Sequence, residues 1–562
     1  MKKLLSVVLA AIMVFGIVFT LTSCGEDPGV EPTRKEGYYP NITLTLSNLS
    51  YVQYTPTLQA MGWTIIDNPV YDLIKKELGI RFKLDIDVED IEVYFDKLSA
   101  GIAAGKLADI ACLGDAIFGI PNLKECEKNG LLADLTPYYD GTADVTFTDE
   151  VFEHFERGGE DVFYPGTFDG KIKTIPWLTD SLGSTYGFLY FREDWLDEAN
   201  MSVPTTLDEL TDVMRAFKNR GDGCYGLVMG TGFMAPGENH CGVWDMFRAY
   251  PFEWLENDKG ELYLGATDLG PMKAALQTLQ SWYNEGLINS SEDNDIDVIG
   301  GLHYYSAEFW NGKAGVFSGS TSMGFISNTI KKNPDAKIVT TPLFAVDGGT
   351  VGIAAENNAF MFYGVSSTCK YPEAAVKLYN YYFDINGDSD YIEYFTAPVY
   401  KDDKGEDTEG WAPIQFYPLR TYFFTDVDAA KAQLEDYRTG NVDHFTEGQK
   451  KAYENYREAV ENTTYKNYWT VQQYKEGGVM DQYYELIETA EFVRTKFFTG
   501  QTPAMEQYGR ELEPNLINAA IDIIKGKQTV DYWDTAVDAW FDGGGREITA
   551  EVNEWWQSVK GK

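Results

Sequence analysis

The folded part of the chain opens on alternating apolar and polar residues. Residues 42–46 place isoleucine or leucine at every second position with threonine between them, which predicts a β-strand with one buried face. A helix is predicted next, because apolar residues at helical spacing lie between the N-cap candidates Asp67 and Asn68 and the stop signal Gly79. Pro69 fits the first turn of that helix, where no backbone N–H is needed.

The same alternation of strand and helix continues for another thirty residues. Residues 80–86 interleave apolar and charged side chains, which predicts a second strand. Phe95, Leu98 and Ile102 form a helical stripe that Gly105 ends, and the apolar run 110–113 predicts a third strand. Strands joined through helices by short loops indicate a parallel sheet with right-handed crossovers.

A second region of mixed strands and helices is predicted from about Tyr186 onward. Thr206 and Glu209 have the spacing of a capping box that opens a helix. Its predicted buried face is Leu207, Leu210, Met214 and Phe217. Near the end of the chain, two more helices are predicted from the apolar sets Leu516, Ala520, Ile524 and Trp533, Val537, Trp540.

The N-terminus has the layout of a secretory signal. Two lysines precede an apolar run over 4–19, which is shorter than the roughly 20 residues needed to span a bilayer. Leu21, Thr22 and Ser23 lead directly to Cys24, which resembles a bacterial lipobox. We therefore expect a signal peptide over 1–23 and a lipid anchor, with acyl chains such as palmitate, on Cys24. The Gly-, Pro- and Glu-rich stretch 24–37 is expected to be a flexible tether.

Length and charge limit the classes of function. A chain of 562 residues exceeds one ordinary hydrophobic core, so two lobes are expected. A net charge of −41 repels phosphate backbones and anionic headgroups, which argues against nucleic acid and against direct membrane docking. The net charge does not exclude neutral or cationic ligands.

Cysteine and histidine are too sparse for a metal centre. Beyond Cys24 the cysteines are Cys112, Cys126, Cys224, Cys241 and Cys369, without metal-ligand spacing. Disulfides between Cys112 and Cys126 or between Cys224 and Cys241 are open to an extracellular protein, but the interpretation we favour is that most of these cysteines are buried small residues. With four histidines in the chain, a zinc cluster or a histidine-based catalytic set has little material.

Aromatic side chains in loops are the candidates for ligand binding. Aromatic residues make up 15% of the chain, and sugars present C–H faces that stack on such rings. Ligands of parallel sheets bind beyond the carboxyl ends of the strands. The candidates in such loops are Tyr51, Tyr54, Trp63 and Asp115, and further ones are Trp177, Asp180, Tyr186, Trp244, Trp310 and Trp411. For each aromatic residue taken singly, packing in the core is the competing interpretation.

Five stretches in order resemble the family 1 extracellular solute-binding proteins of ABC importers, which include maltose-binding protein. They are YFDKLSAGIAAGKLADI (94–110) with NGLLADLTPYYD (129–140), DGKIKTIPW (169–177) with residues 186–210, FWNGKAGVFSGS (309–320), SSTCKYPEAAVKLYNYYF (366–383) and IIKGKQTVDYWDTAVDAW (523–540). The length and the C-terminal segment resemble a large lipoprotein subgroup of Gram-positive bacteria.

The resemblance implies an α/β fold of the two-lobed periplasmic-binding-protein type II kind, with a hinge and an interlobe cleft that holds the ligand. The expected N-terminal lobe is 38–175 plus about 355–398, and the expected C-terminal lobe is 176–354 plus about 399–562. The implied partners are a carbohydrate and the transmembrane subunits of an ABC permease, with no cofactor, no metal and no nucleic acid. The implied location is the extracellular face of the cytoplasmic membrane.

The resemblance also places individual residues at the ligand. Asp115 follows the third strand, where relatives offer an acceptor for a sugar hydroxyl, and Trp177 and Asp180 lie at the hinge and cleft wall. Ser320 and Thr321 occupy a loop in which relatives often present an aromatic ring, so the same saccharide is not implied.

A further departure concerns calcium. Large relatives carry a loop of alternating oxygen ligands after the helix that ends here at Phe217, whereas the segment 218–226 holds one acid, Asp222. We expect no calcium at this position.

Three alternatives to a transport receptor stay open at this point. A surface glycan-active enzyme needs a pair of carboxylates across a cleft. With 87 acidic residues in the chain, the sequence does not show which two would form that pair. An all-helical glycan-binding lipoprotein shares the leader and the aromatic content but lacks strands. A partner of a ligand sensor has the same sequence features as a transport receptor.

Overall fold

A computed structural model describes residues 37–114, 119–180, 187–229, 233–234, 242–288, 308–321, 326–402, 404–445 and 447–560. Their contacts divide into two compact units. Unit 1 takes the described residues of Met1–Cys112, Cys126–Thr148 and Gly364–Arg420. Unit 2 takes those of Leu113–Glu125, Asp149–Tyr363 and Thr421–Lys562.

The described residues form strands throughout the length of the chain. In chain order they are β1 (Ile42–Ser47), β2 (Ile80–Leu84), β3 (Ile110–Gly114), β4 (Thr167–Phe168), β5 (Lys171–Ile172), β6 (Thr174–Leu178), β7 (Phe188–Arg192), β8 (Tyr225–Leu227), β9 (Trp254–Glu256), β10 (Leu262–Leu264), β11 (Ala314–Gly319), β12 (Ile338–Pro342), β13 (Gly352–Ala354), β14 (Ala359–Val365), β15 (Val399–Lys401), β16 (Asp407–Glu409) and β17 (Glu491–Val493). These strands exclude the all-helical alternative.

Helices alternate with the strands in the first half and dominate the last third. In chain order they are α1 (Thr55–Met61), α2 (Pro69–Leu78), α3 (Ile91–Ala103), α4 (Gly119–Lys128), α5 (Thr136–Tyr139), α6 (Asp149–Gly158), α7 (Glu193–Ala199), α8 (Leu207–Lys218), α9 (Val243–Met246), α10 (Leu269–Glu285), α11 (Ser327–Lys332), α12 (Glu373–Ile385), α13 (Ile392–Phe395), α14 (Val427–Thr439), α15 (Glu447–Glu461), α16 (Tyr468–Tyr474), α17 (Val479–Thr489), α18 (Arg510–Ile524), α19 (Tyr532–Trp540) and α20 (Arg546–Val559). None of them is long and apolar enough to cross a membrane.

Unit 1 contains the predicted parallel strands. β1 lies between β2 and β3 and runs parallel to both, with Leu46 opposite Leu84 on one side and Ile110 on the other. The first helix is confirmed in detail: the Asn68 side chain accepts a hydrogen bond from the Val70 N–H, and Gly79 ends α2 in the left-handed conformation. β2 ends at Leu84, two residues before the predicted end at residue 86.

Unit 2 is built around a mixed sheet with the strand order β12-β7-β11-β8. β7 is antiparallel to β11 and β12, and β8 is parallel to β11. Helix α8 packs closely on β11 at Gly315, where an added Cβ would lie 2.1 Å from the Phe217 ring and 2.7 Å from the Trp195 ring. Glycine is needed there because any side chain would push the helix off the sheet.

The buried face of α8 differs from the prediction by one position. Leu210, Met214 and Phe217 are buried as predicted, but the fourth buried residue is Val213 and Leu207 is only half-buried. Leu207 is the first residue of the helix, where the chain still turns toward solvent. The Thr206 side chain accepts from the Glu209 N–H at 3.3 Å, as in a capping box.

Two other expectations can be followed into the structure. The C-terminal helices are confirmed, with Trp533, Val537 and Trp540 buried on α19 and Leu516, Ala520 and Ile524 buried on α18. The cysteines that the structure describes are Cys112, Cys126, Cys224 and Cys369, all as thiols. A Cys112–Cys126 disulfide is therefore wrong; the Cys224–Cys241 alternative involves a residue outside the described ranges.

Candidate functional site

Unit 1 gathers four of the sequence candidates, Tyr51, Tyr54, Trp63 and Trp411, into one aromatic group. The ring of Tyr54 meets those of Tyr51, Trp411 and Phe416 edge-on, with centroid distances of 5.4, 5.1 and 5.2 Å. Trp63 contacts Phe416 at 6.5 Å. We call these five residues the unit 1 hub. Tyr54 is buried, whereas Tyr51, Trp63 and Trp411 keep part of their surface exposed.

Hydrogen bonds fix the hub rings in place. The Trp411 indole Nε1 donates to the Gln53 carbonyl at 3.0 Å, and its backbone N–H donates to Thr57 Oγ1 at 3.1 Å. The buried Arg420 guanidinium donates to the Tyr54 hydroxyl at 3.3 Å and to the Gln415 carbonyl at 2.8 Å. The Trp411 and Tyr54 rings are therefore held in one orientation.

Trp177 lies in a second aromatic group, which is within unit 2. It is fully buried in β6, and its ring stacks on Tyr363 with centroids 6.0 Å apart and planes 4° from parallel. Phe360 contacts it edge-on at 5.4 Å and Tyr422 lies at 5.6 Å. We call these four residues the unit 2 ring cluster. In this conformation its solvent-facing members are Phe360 and Tyr422, because Trp177 and Tyr363 are buried beneath them.

Asp180 holds the segment 421–425 beside the end of β6. Its carboxylate accepts a hydrogen bond from the Thr425 N–H at 2.9 Å. Its negative charge also acts on the half-buried Arg494, whose pKa is lowered by burial, an effect that Asp161 and Asp180 oppose. Asp180 is therefore placed to hold the segment 421–425 in position.

A buried histidine also helps to hold the segment 421–425 in position. His154 Nε2 lies 3.1 Å from Thr421 Oγ1, which in turn accepts from the Leu178 N–H at 2.9 Å. Burial, reinforced by the positive charge of Arg157, lowers the pKa of His154 to about 4. The histidine is neutral at physiological pH and serves this network as a hydrogen-bonding group.

The remaining described candidates lie elsewhere in unit 2. Trp244 is fully buried in the hydrophobic core, with its ring 6.1 Å from Phe233. Ser320 and Thr321 are also buried; their carbonyls accept from the Tyr190 hydroxyl at 2.5 Å and from the Gln473 side chain at 3.3 Å. Trp244 and Ser320 lie on neighbouring segments, since the Gly242 N–H donates to Ser318 Oγ.

Some candidates fall outside the described residues, namely Cys24, Asp115 and Tyr186. Within the described ranges, no group of three His, Cys, Asp or Glu side chains is arranged to hold a metal ion.

Phe360 and Tyr422 were not among the sequence candidates. Phe360 belongs to a run, 359–365, that is apolar at almost every position, so alternation does not reveal which ring faces solvent. Tyr422 opens the aromatic run 422–424, which was a signal available in the sequence.

Comparison with known proteins identifies the family of this chain. The sequence model of the family described as bacterial extracellular solute-binding protein matches residues 72–402, more than half of the 562-residue chain. The chain belongs to this family. It is a solute-binding protein, then, and not an enzyme, which removes the glycan-active alternative.

Individual relatives of this solute-binding protein are distant. Lipoprotein LipO of Bacillus subtilis (strain 168) is 23% identical over 488 residues, which are 83% of this chain and 85% of LipO. The polygalacturonan/rhamnogalacturonan-binding protein YtcQ of the same organism is 24% identical over 227 residues, 39% of this chain and 40% of YtcQ.

A solved structure has the same two-lobed α/β fold. An HMO-binding, ABC-transporter-associated solute-binding protein from Bifidobacterium longum infantis superposes with a TM-score of 0.56 and 14% identity. The match covers 93% of this chain and 100% of that protein. At this identity the likeness concerns the fold alone.

Proposed function

We propose that this solute-binding protein captures an oligosaccharide and delivers it to the transmembrane subunits of an ABC importer. It does so while anchored through a lipid on Cys24 to the outer face of the cytoplasmic membrane. The observation that carries the carbohydrate assignment is the unit 1 hub, in which Tyr51 and Trp411 contact Tyr54 and Trp63 joins them through Phe416.

The hub has the properties that a sugar-binding surface requires. A pyranose ring presents an apolar C–H face, which stacks on a flat aromatic side chain, and hydroxyls at its rim. Tyr51, Trp63 and Trp411 are partly exposed, so their rings can be reached, and the bonds from Trp411 to Gln53 and Thr57 hold one ring rigidly. A preorganised ring spends less free energy on ordering when the ligand binds.

The names of the relatives point to saccharides in general, and the net charge of this chain is the argument for a neutral one. YtcQ is named for binding polygalacturonan and rhamnogalacturonan, and the Bifidobacterium protein for binding HMO. The net charge of −41 disfavours polyanionic ligands, so a neutral oligosaccharide is the class we assign to this chain.

The leader supports the anchor and the transport role. The apolar run 4–19 followed by Leu21, Thr22, Ser23 and Cys24 has the order of a lipoprotein signal, and LipO is named a lipoprotein. A tethered receptor stays near its permease, because the tether keeps the local concentration of the receptor high.

A thermal-shift screen of the chain without its leader tests the ligand class. The panel contains neutral gluco- and fructo-oligosaccharides, an acidic oligogalacturonide, and a control set of peptides. Binding to the native state raises the unfolding temperature, so a neutral oligosaccharide should produce a shift that grows with concentration. A response to peptides with none to any saccharide would overturn the carbohydrate assignment.

A matched pair of variants connects the screen to the hub. Trp411→Ala should weaken binding about tenfold, the effect of removing one stacked ring from a binding surface. Trp555→Ala removes a partly exposed tryptophan that packs on Phe497 in unit 2 and is not a member of the hub. Equal affinities for Trp411→Ala and wild type would show that the hub is not part of the binding site.

The anchor and the delivery step have their own tests. Labelling cells with a palmitate analogue should mark the wild-type protein and not Cys24→Ala, which should be released into the medium. Deletion of the gene should abolish uptake of the sugar found in the screen. Unchanged uptake with a lost transcriptional response would favour a sensor partner instead.

A further inference from the structure

Three tyrosines lie where the predicted tether, residues 24–37, enters unit 1. Tyr38 contacts Tyr371 edge-on, with ring centroids 5.6 Å apart. Tyr39, the next residue, is 63% exposed, and Tyr371 is 36% exposed. The start of the described chain therefore presents aromatic surface to its surroundings, a feature that is typical of a contact site.

Lysine side chains surround these rings. The Lys377 ammonium lies 4.7 Å from the centroid of the Tyr38 ring, and Lys370 is the exposed neighbour of Tyr371 in the chain. The Tyr38 N–H donates at 2.8 Å to the carbonyl of the last residue of α2, and Lys76 lies in the final turn of that helix. We call this group the tether face; its members are Tyr38, Tyr39, Lys76, Lys370, Tyr371 and Lys377.

The carboxylates near the tether face are bonded within unit 1. Glu77 is buried and pairs with Lys76 at 3.1 Å, which leaves 59% of the Lys76 side chain exposed. Glu373 accepts a hydrogen bond from the Tyr38 hydroxyl at 2.8 Å, and Asp109 accepts two hydrogen bonds from β1, each at 2.8 Å. The ammonium groups are therefore the charges that a partner at this face meets first.

The tether face lies at the edge of the unit 1 sheet opposite to the hub. β1 and β2 run parallel, and the Ile42 N–H at the start of β1 donates to the carbonyl of Gly79, just before β2. The segment 38–42 is therefore at the amino ends of both strands. Tyr51 and Tyr54 of the hub follow the carboxyl end of β1, so a partner bound at the tether face leaves the hub accessible.

The proposed lipid on Cys24 keeps the tether face close to a bilayer. Gly37, the first residue that the structure describes, is thirteen residues after Cys24. A chain of that length spans at most about 45 Å even when it is fully extended. Because the tether joins unit 1 at Tyr38, the tether face is the part of unit 1 nearest along the chain to the attachment point.

We propose that the tether face binds the surface of the lipid bilayer that holds the anchor, with the hub turned away from the membrane. The tyrosine rings enter the headgroup region, which suits an apolar ring with a polar hydroxyl, and the ammonium groups pair with anionic headgroups. This contact strengthens the anchor, since a single acyl chain alone gives only marginal binding. The inference rests on the proposed lipid anchor and adds an orientation to it.

Local charge decides this contact, although the net charge of −41 argues against membrane docking of the chain as a whole. At an ionic strength of about 0.1 M the Debye length is about 10 Å, so acidic groups farther away on the molecule are largely screened from the headgroups. A second copy of the chain is a poorer occupant, because two copies of the same face would bring lysine against lysine.

Acetylation of lysines on vesicles, followed by mass spectrometry, tests the contact. Residues 24–562 carry Cys24→Ala and an N-terminal hexahistidine tag, which a nickel-chelating lipid holds at the bilayer. One set of vesicles contains phosphatidylcholine and phosphatidylglycerol and the other phosphatidylcholine alone, both at about 0.1 M salt. Lys76, Lys370 and Lys377 should be acetylated at least about fivefold more slowly on the anionic vesicles. Lys401, on β15 of the same unit with 64% of its side chain exposed, should react equally on both.

A ring variant tests the part of the tyrosines. Tyr39→Ala should not disturb the fold, because the ring is largely exposed, and it should reduce the protection of Lys370 and Lys377 by about twofold or more. Tyr465→Ala is the matched control, since Tyr465 is 37% exposed and belongs to unit 2. Equal protection in Tyr39→Ala and wild type would remove the ring from the contact.

The outcomes distinguish this inference from the proposed anchor. Equal rates on the two kinds of vesicle for Lys76, Lys370 and Lys377 would overturn the membrane contact, and so would equal protection of Lys401. The nickel lipid holds the chain whether or not Cys24 is acylated in cells, so the palmitate labelling decides the anchor separately. Labelled Cys24 with unprotected lysines would keep the anchor and remove the contact; protected lysines without labelling would do the reverse.

Discussion

The Arg420 guanidinium donates a hydrogen bond to the hydroxyl of Tyr54, with Nη2 and the oxygen 3.3 Å apart. Both residues are buried, and Tyr54 is the ring that Tyr51, Trp411 and Phe416 all contact. The pair joins the loop after β1 to the segment that follows β16, two parts of the sequence separated by 366 positions. This hydrogen bond is one of the contacts that hold Tyr54 at the centre of the unit 1 hub.

Two substitutions at Tyr54 should have effects of different size. Tyr54→Ala removes a buried ring with three aromatic neighbours and should lower the free energy of unfolding by about 3–5 kcal/mol. Tyr54→Phe keeps the ring and loses one hydrogen bond, which should cost about 1 kcal/mol. Urea denaturation measures both. Equal losses would show that the hydroxyl, rather than the ring, holds the hub together.

Stability should depend on pH through His154. The pKa of His154 is about 4 in the folded protein and near 6.5 in an unfolded chain, so the unfolded state binds more protons between these values. The free energy of unfolding should therefore be highest above about pH 6.5 and fall as the pH is lowered. This one group should remove about 2 kcal/mol between pH 7 and pH 5.

One variant isolates that contribution. His154→Gln should flatten the fall in stability between pH 7 and pH 5 by about that amount, relative to the wild type measured under the same conditions. If His154→Gln and wild type lose stability equally on acidification, the titration of His154 is not the cause.

The N-cap of α2 offers a third test. Asn68 accepts from the Val70 N–H at 3.1 Å and donates to the carbonyls of Thr64 and Ile65, each at 3.0 Å. Asn68→Ala should lower the free energy of unfolding by about 2 kcal/mol, because it removes the cap and leaves the carbonyls of Thr64 and Ile65, the second of them buried, with one partner fewer. Asn68→Asp keeps the side-chain acceptor for the Val70 N–H, so it should lower the free energy of unfolding less than Asn68→Ala does. An equal loss for the two variants would contradict a role for the cap.

Local signals account for the parts of the fold that the sequence predicted well. The ends of α2 follow from Asn68 and Gly79, whose side chain and backbone act within a few residues of themselves. The buried face of α8 was off by one position, because burial of Val213 rather than Leu207 depends on where the helix meets the sheet of unit 2. The helical spacing of apolar residues does not show where the helix meets the sheet.

The candidate site shows the same division between local and long-range information. Residue type and loop position indicate Tyr51, Trp63 and Trp411 as candidates. The contact of Trp411 with Tyr54 is accompanied by a hydrogen bond between Trp411 and Gln53, residues 358 positions apart, which no local pattern reveals. Trp177 was chosen as a cleft residue, and in the unit 2 ring cluster it lies beneath Phe360 and Tyr422. Exposure of a given ring is set by packing that a single sequence does not reveal.

Isothermal titration calorimetry of the chain without its leader against the neutral oligosaccharide panel tests the central claim most directly. We predict saturable binding of at least one oligosaccharide at one molecule per chain, weakened about tenfold by Trp411→Ala and unaffected by Trp555→Ala. No binding of any saccharide, together with saturable binding of a peptide from the control set, would contradict the account.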